Sequence, residues 1–547
     1  MKKLIVCLIL LVMLASGVAA ADEAKIENDI RNVLWLPSSA PLPASIKAKL
    51  KNNITDAGQR MAKMFNMLEK HWLPLVPRYP ERYALFKKIS AKGLTPIQMI
   101  RMVNFTGPDY FYGFKTIDDK KKLIFPQDLG ADLAYQFGWV FFVGNLKDAA
   151  GNDYGIECVV FRRAMIAPPF AKAMDLSLMD NQISELQYAV SFGDKNLQVQ
   201  GRSAVIAGST GLIKYQADPF LVAVGKNKAW SLQKGALFPM KLQWNDPNIP
   251  MKVEMTMHSA KPILYQGDQG KTPDIYGLGC WYYSIPHIMA DGVITYKGKA
   301  IKVKGKMWMD NQWVAGLMPI GYVPNLYIRA LSNTINYFTG KSEEYGWDWY
   351  CIQLDDDTEI TVAAPHEGGE DIDNKGPNPP PNMTKACEGK YVDKNGVPSE
   401  LKGTLTITDW ILSKRSHCWT PNGWTFSFPS LDITFTMKPI VHNQLLYFAS
   451  SAEYREGATR VVGKRGNKKL TGYGFAEGVN YVGHDWYFTQ NFATLGIKDT
   501  PVNRLLMTTK PISFWMMIKS VLVLISPFVL LLVLIVFIWR WIRSRKK

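Results

Sequence analysis

The sequence predicts a mainly β protein that is held at a membrane by one C-terminal helix. Aromatic residues make up 12% of the 547 residues and 42 residues are glycine, as expected for many strands joined by tight turns. Residues 280–313 alternate apolar and polar side chains on either side of Lys297-Gly298-Lys299, which is the pattern of a β-hairpin. Residues 521–539 contain no charge and are enough to cross a bilayer.

The two ends of the chain have the composition of targeting and anchoring segments. Residues 1–21 join Lys2 and Lys3 to an apolar run that ends in small residues, which predicts a secretory signal peptide. Trp515 and Trp539 delimit the predicted transmembrane helix, residues 515–539, and the tail 540–547 is basic. The positive-inside rule therefore predicts a single-pass protein of the cell membrane, with residues 22–510 outside the cytoplasm. A buried core helix is the alternative interpretation of this segment.

Residues 22–120 have helical rather than strand periodicity. Met61, Met64, Phe65 and Leu68 recur at helical spacing, and Thr95-Pro96 is a suitable start for a second, short helix. We expect this methionine-rich face to pack in a core, although it could instead form a ligand groove or lie against the membrane.

Charge and cysteine content restrict the partners and cofactors. The net charge of +17 is concentrated partly in the two end segments and is otherwise dispersed, so we expect an anionic membrane rather than nucleic acid as the partner. No zinc-type cysteine spacing, dinucleotide or phosphate-binding motif is present, and we expect no metal and no cofactor. Cys387 and Cys418 border loop-like stretches and are the candidates for a disulfide.

Three motifs in the middle of the chain carry a family resemblance. They are Tyr282-Tyr283-Ser284, Trp308-Met309-Asp310 and Gly346-Trp347-Asp348-Trp349-Tyr350. Together they resemble the AttH/CrtC family of double lipocalin-like proteins, which includes carotenoid and kievitone hydratases. The resemblance covers about residues 121–478 and implies two lipocalin-like antiparallel β-barrels in tandem. We place the first barrel at residues 121–270 and the second at residues 271–510.

The resemblance also implies a chemistry. In the CrtC hydratases the Asp of the Trp-Met-Asp motif protonates an alkene, and in this chain that residue is Asp310. A carboxylic acid buried among aromatic rings has a raised pKa, and the rings stabilise the cation that forms. Asp348 is a candidate second acid or base. The candidate ligand-binding residues are Tyr283, Trp308, Trp313, Trp347, Trp349 and His287.

Each of these residues also has a purely structural interpretation. Asp310 shares its strand parity with Lys302, Lys304 and Lys306, which predicts a solvent-facing acid unless a bulge at Gly305 turns it inward. Asp348 could pair with a cation in the barrel, His287 could lie on the surface, and the tryptophans could simply fill the barrels.

Three functional hypotheses follow. The first is a membrane-anchored protein outside the cytoplasm that binds or carries an apolar lipid or isoprenoid. The second is a hydratase, isomerase or cyclase that uses Asp310. The third is a tethered scaffold with filled barrels. Gly138 and Val140 stand where the family has polar or aromatic residues, which favours the carrier, whereas the Trp-Met-Asp and Gly-Trp-Asp-Trp motifs favour the enzyme.

Overall fold

The structure, a computed structural model, describes most of the chain between residue 114 and residue 482, and the C-terminal helix. The predicted signal peptide, residues 1–21, and all but the last few residues of the predicted helical region, residues 22–120, lie outside the described residues. The described residues are 114–118, 120–164, 168, 177–201, 204–208, 211–246, 249–259, 261–272, 280–314, 326–339, 345–367, 374–447, 453–482 and 514–545.

The strands form two antiparallel sheets. The first sheet contains β1 Phe137–Lys147, β2 Asp153–Ala164, β3 Gln182–Phe192, β4 Leu197–Gln200, β5 Ala204–Ala207, β6 Ile213–Gln216, β7 Leu221–Val224, β8 Asn227–Ser231, β9 Met240–Asp246, β10 Met251–Ser259, β11 Leu264–Tyr265, β12 Lys271–Thr272, β13 Cys280–Tyr296 and β14 Lys299–Val314. The second contains β15 Tyr345–Leu354, β16 Glu359–Glu367, β17 Met383–Val392, β18 Pro398–Leu412, β19 Trp419–Phe428, β20 Ile433–Pro439, β21 Leu445–Tyr447, β22 Glu453–Arg465 and β23 Lys468–Val479.

The first sheet is a curled half-barrel. Its strands follow the order β4-β3-β2-β1-β14-β13-β10-β9-β8-β7-β6, and its two ends, β4 and β6, do not pair with each other. Its inner face is filled by side chains, among them the fully buried Trp244, Trp281 and Trp313. Where these rings lie, the inside of the half-barrel is therefore a packed hydrophobic core and not an open cavity.

The second sheet closes into a barrel. β20 pairs with β22 and β15 pairs with β23, so that eight strands form a continuous ring, with β21 attached outside it. Trp424, Phe426, Phe428 and Phe435 fill the interior, and the guanidinium of Arg455 lies 4.4 Å from the Trp424 ring. The predicted mainly β fold with two barrel-like units is thus confirmed, as one closed barrel and one curled half-barrel.

The predicted hairpin is present as β13 and β14. Lys297 and Gly298 have φ of 50° and 77°, as a two-residue type I′ turn requires. The division at residue 270 predicts that this hairpin opens the second barrel, and the structure contradicts that prediction. β14 pairs with β1 and β13 pairs with β10, so both strands lie in the centre of the first sheet. The sequence could not show this, because β1, the partner of β14, lies more than 100 residues earlier in the chain.

Strand β14 has no bulge at Gly305 that would turn Asp310 inward, and a bulge lies in the partner strand β13 instead. β14 pairs with β1 without a break from Lys304 to Val314. In β13 the register shifts between Ile285 and Ile288. Asp310 therefore keeps the strand parity of the lysines, yet only Lys302 and Lys304 are exposed whereas Asp310 is buried. The second sheet packs on this face and covers its far end.

Polar contacts at the bulge join the two sheets. The amide Nε2 of Gln353 donates to the carbonyls of Pro286 at 2.8 Å and Met307 at 2.9 Å. The buried carboxylate of Glu359 is 2.6 Å from His287 Nδ1 and 2.7 Å from Lys261 Nζ. The carbonyl groups released by the bulge are thus satisfied from the second sheet.

Two helices accompany the sheets. α1 is Leu326–Thr339, between β14 and β15, and α2 is Phe514–Arg545. The stretch Met517–Trp539 of α2 is long and apolar enough to cross a membrane, and the mean hydropathy of an 18-residue window within it is 3.4. α1 packs against α2. The predicted apolar C-terminal helix is confirmed, and its first turn and a half precede residue 519.

Candidate active site between the two sheets

The outer faces of the two sheets pack against each other. Phe141, Val143 and Val159 of the first sheet form one apolar cluster with Trp349 and Phe475 of the second. Hydrogen bonds cross the same interface, from Asn145 Nδ2 to the Gly474 carbonyl at 3.0 Å and from the Tyr454 hydroxyl to Gln187 Oε1 at 2.9 Å. The candidate site lies in this interface and not inside either barrel.

Asp310 is buried in the interface with three neutral hydrogen-bond donors. The Tyr282 hydroxyl donates to Oδ2 at 2.7 Å, the Trp308 indole donates to Oδ1 at 2.7 Å, and the Ser284 hydroxyl also donates to Oδ1. Asp310 as a whole is only 3% exposed to solvent. Burial raises the pKa of Asp310 to about 6, although the three hydrogen bonds oppose this rise.

Three glutamates join Asp310 in what we call the acid cluster: Glu157 on β2, Glu456 on β22 and Glu477 on β23. Burial raises the pKa of Glu157 and of Glu477 to about 8, and repulsion between the acids adds to the effect. Burial raises the pKa of Glu456 well above its usual range, with Glu477 as the next cause. Burial thus favours the protonated form of the three glutamates at neutral pH.

The glutamates differ in their contacts. Both carboxyl oxygens of Glu157 and of Glu456 are buried without a hydrogen-bond partner among the described residues. Glu477 is only partly buried and accepts a hydrogen bond from the Trp347 indole at 3.1 Å. It lies directly opposite Glu456 in the β22–β23 pairing. Glu477 is thus the member of the acid cluster nearest to solvent.

Sequence reasoning did not select these glutamates. Glu157 interrupts the apolar stretch Ile156–Val160 of β2. Glu456 lies on the same outer face of β22 as Tyr454, two residues earlier. A charged residue within an apolar strand was the available signal. The convergence of the four acids depends on the packing of two sheets, which the sequence does not display.

Aromatic side chains line the site and its edge. The ring of Trp349 is 6.1 Å from that of Trp308 and 5.8 Å from that of Phe141, both edge to face. Four partly exposed rings form what we call the aromatic rim: Phe137, Trp139, Phe161 and Trp347. Of the predicted ligand-binding residues, Trp308 contacts Asp310, Trp349 packs against Trp308, and Trp347 contacts Glu477 of the acid cluster.

Tyr283 and Trp313 are not part of this site. Both face the core of the first sheet, where their rings are 6.3 Å apart and the Tyr283 hydroxyl donates to the Leu129 carbonyl at 2.8 Å. Tyr282, one residue earlier, contacts Asp310 in place of Tyr283. Successive residues of a strand point to opposite faces. The sequence-based choice of Tyr283 was one residue away from Tyr282 and therefore fell on the wrong face of β13.

Asp348 and Asp310 occupy separate environments. Asp348 points into the closed barrel, where Lys385 Nζ is 2.7 Å from Oδ2 and the Tyr481 hydroxyl is 3.0 Å from both carboxyl oxygens. The lysine compensates the charge of Asp348 inside the barrel. The structure thus separates Asp348 from Asp310 and gives it a cationic partner.

His287 and the two cysteines also differ from their predicted roles. His287 is buried at the bulge and contacts Glu359, so it is neither a surface residue nor a neighbour of Asp310. Cys387 and Cys418 are both buried and neither forms a disulfide, and Cys387 packs in the barrel core. The predicted disulfide is therefore absent. Among the described residues, no group of three or more His, Cys, Asp or Glu side chains is arranged to hold a metal ion.

Two packed antiparallel barrel-like units with buried acids and tryptophans between them define a lipocalin-type protein with an inter-sheet site. The model of a family described as AttH-like matches residues 116–481, and the chain belongs to this family. No curated protein matches the chain.

Solved structures agree with the fold. A putative AttH from Nitrosomonas europaea shares 19% identity, with a TM-score of 0.51, over 68% of this chain and 100% of that one. Kievitone hydratase from Nectria haematococca shares 13% identity, with a TM-score of 0.47, over 69% of this chain and 99% of that one. At these identities the likeness concerns the fold alone.

Proposed function

We propose that the protein is a hydratase or isomerase that protonates an alkene carbon of an apolar, isoprenoid-like substrate between the two sheets. Asp310 is the proton donor. The observation that carries this proposal is the environment of Asp310, a buried carboxyl group with a pKa raised to about 6 and no cation among its hydrogen-bond partners. A general acid is most effective when its pKa lies near the working pH.

The neighbours of Asp310 suit both of its protonation states. The hydroxyls of Tyr282 and Ser284 can rotate, so that they accept a hydrogen bond from the protonated acid and donate to the carboxylate. The indole of Trp308 can only donate, and it stabilises the carboxylate that remains after proton transfer. The acid is thus solvated by the protein in both states.

The reaction balances without a cofactor. The proton of Asp310 forms a C–H bond with one alkene carbon, and the other carbon becomes cationic. The faces of Trp308 and Trp349 stabilise this cation. In hydration, water bonds to the cationic carbon and returns a proton to Asp310. In isomerisation, a neighbouring carbon loses a proton to Asp310 and the double bond moves.

Deuterium labelling tests the proposal. The full chain is reconstituted in vesicles of the total lipid extract of its source cells in D2O, and lipids that gain carbon-bound deuterium are detected by mass spectrometry. We expect one lipid species to gain a deuterium, and Asp310→Asn to lower its rate of labelling by about 10²–10⁴-fold. The control is Asp291→Asn, an exposed acid of the same hairpin, with unchanged labelling.

Labelling by Asp310→Asn at the wild-type rate would exclude Asp310 as the proton donor. Thermal unfolding of the two variants, compared with the parent chain, shows whether a loss of labelling reflects the site or the fold.

A lipid carrier is the second candidate function. The observation that favours it is the exposed apolar surface of α2, where every described side chain from Phe528 to Trp539 is exposed. A carrier would retain one lipid in one chemical form through purification without detergent, with no deuterium gain. Asp310→Asn would leave the amount of that lipid nearly unchanged.

We also propose that α2 anchors the protein with its sheets outside the cytoplasm. Met517–Trp539 supplies the span, and Arg540, Arg543 and Arg545 follow it. Protease added to intact cells is expected to remove epitopes inserted in the exposed turn near Val397, and to leave an epitope after Lys547 intact.

A further inference from the structure

Helix α1 has an exposed apolar stripe. Tyr327, Leu331, Ile335 and Phe338 recur at intervals of three and four residues and therefore lie on one face of the helix. Their exposed fractions are 47%, 50%, 50% and 73%, whereas Ala330 is 3% exposed. α1 contains no acidic residue. Two aromatic and two aliphatic side chains on one face make this helix amphipathic.

The neighbour of α1 indicates what covers the stripe. α1 packs against α2, in which Met517 and Ser520 are buried and every residue from Pro527 to Trp539 is exposed. Because α2 is long and apolar enough to span a bilayer, a helix packed beside its first turns lies at the level of one leaflet. The 14 residues of α1 extend about 21 Å, less than the roughly 30 Å of a hydrocarbon core. α1 is thus too short to span the hydrocarbon core, and its one-sided apolar stripe suits a helix that lies along the interface.

The chain connects α1 to the strands of the candidate site. β14, which carries Asp310, ends at Val314, and β15, which carries Trp347, begins at Tyr345. The six residue steps from Thr339 to Tyr345 can extend at most about 20 Å. Glu477, the most exposed member of the acid cluster, is two residues from the end of β23. The partly exposed residues of the site, Trp347 and Glu477, thus lie at the end of the interface from which α1 leaves and to which it returns.

We propose that α1 is an interfacial membrane helix whose stripe of Tyr327, Leu331, Ile335 and Phe338 is immersed in the leaflet next to the sheets. The partner of this surface is the lipid bilayer itself. A consequence, which rests on the proposed function, is that the substrate is a membrane-resident apolar lipid that reaches Asp310 past the aromatic rim without passing through water.

Depth-dependent quenching tests the immersion of α1. A polarity-sensitive fluorophore is attached to Phe338→Cys in the full chain, which is reconstituted in phosphatidylcholine vesicles with or without spin-labelled acyl chains. We expect strong quenching by the spin-labelled lipid and protection from aqueous iodide. Val397→Cys is the matched control, because Val397 is also an exposed apolar residue, 60% exposed, but lies in a turn at the opposite end of the barrel. It should show the reverse.

The double variant Leu331→Asp and Phe338→Asp tests the consequence. For this comparison, the fluorophore is attached to Ile335→Cys in both the parent chain and the double variant. We expect quenching by lipid to fall several-fold in the variant, and deuterium labelling of vesicle lipids in D2O to fall with it, while thermal unfolding of the sheets is unchanged.

The outcomes separate the two proposals. Iodide quenching of Phe338→Cys equal to that of Val397→Cys would overturn the immersion of α1, whatever the labelling shows. Full labelling by the de-inserted double variant would overturn delivery from the leaflet. If α1 is immersed and the parent chain labels no lipid, the proposed reaction fails and the membrane surface stands.

Discussion

Two buried aspartates, each one or two residues from a tryptophan in its strand, have opposite surroundings. Asp348 lies inside the closed barrel and meets the ammonium group of Lys385 at 2.7 Å. Asp310 lies between the sheets and meets only hydroxyl and indole donors. The first charge is compensated by a fixed cation, whereas the pKa of Asp310 rises to about 6 because burial outweighs neutral hydrogen bonds. Burial without a paired cation is therefore the feature that suits Asp310, and not Asp348, to the proposed role of general acid.

The largest effect on stability is expected from breaking the ion pair in the barrel. Lys385→Met leaves the carboxylate of Asp348 buried without its cation, and we expect a loss of about 3–5 kcal/mol in the free energy of unfolding. Denaturant unfolding measures it. Lys390→Met on the same strand is the control, since its partner Glu400 is 76% exposed, and it should cost less than about 1 kcal/mol. Equal losses in the two variants would contradict the contrast between the two aspartates.

A pH-dependent effect on stability is expected from the acid cluster. The folded-state pKa of Glu157 is about 8, above the usual 4.5, so the folded protein keeps a proton that the unfolded chain releases. This contribution is fully present below about pH 4.5 and is lost as the pH rises to about 8. We expect the melting temperature of the parent chain to fall as the pH rises over this range. The melting temperature of Glu157→Gln should fall less.

The control for this titration is Glu388→Gln, an exposed glutamate on β17, which should retain the full slope of the parent chain. A Glu157→Gln variant whose melting temperature depends on pH as steeply as that of the parent would show that Glu157 does not stay protonated in the fold.

The smallest effect is expected from removing one donor to Asp310. Trp308→Phe removes the indole hydrogen bond that stabilises the carboxylate, so the pKa of Asp310 should rise above about 6. Because the protonated acid is the active form, the alkaline limit of deuterium labelling should move up by about one pH unit. Trp313→Phe on the opposite face should leave it in place. A shift in the opposite direction would exclude a protonated Asp310 as the active form.

Local rules predicted the parts of the molecule that depend on neighbouring residues. The turn at Lys297-Gly298, the alternation along β14 and the apolar helix α2 follow from spacing and composition. The resemblance to a known family supplied the two barrel-like units and Asp310. These elements are encoded within windows of about 10–20 residues.

The parts that could not be predicted depend on contacts between distant strands. The burial of Asp310 follows from the packing of the second sheet on β14, although its strand parity is that of exposed lysines. The selection of Tyr283 instead of Tyr282 followed from not knowing which face of β13 carries the site. Glu157, Glu456 and Glu477 come from three strands that no local pattern connects.

The position of the β13–β14 hairpin determines where the molecule can be divided. A fragment that ends at residue 270 would lack both strands and would leave β1 and β10 with bare backbone edges. Unpaired edges of this kind template strand addition between molecules, so such a fragment would tend to aggregate. The reciprocal fragment, beginning at residue 271, would carry the hairpin Cys280–Val314 with no sheet to receive it. Circular permutation, domain exchange with relatives and split-protein designs all require a junction after Val314, in the connection that carries α1.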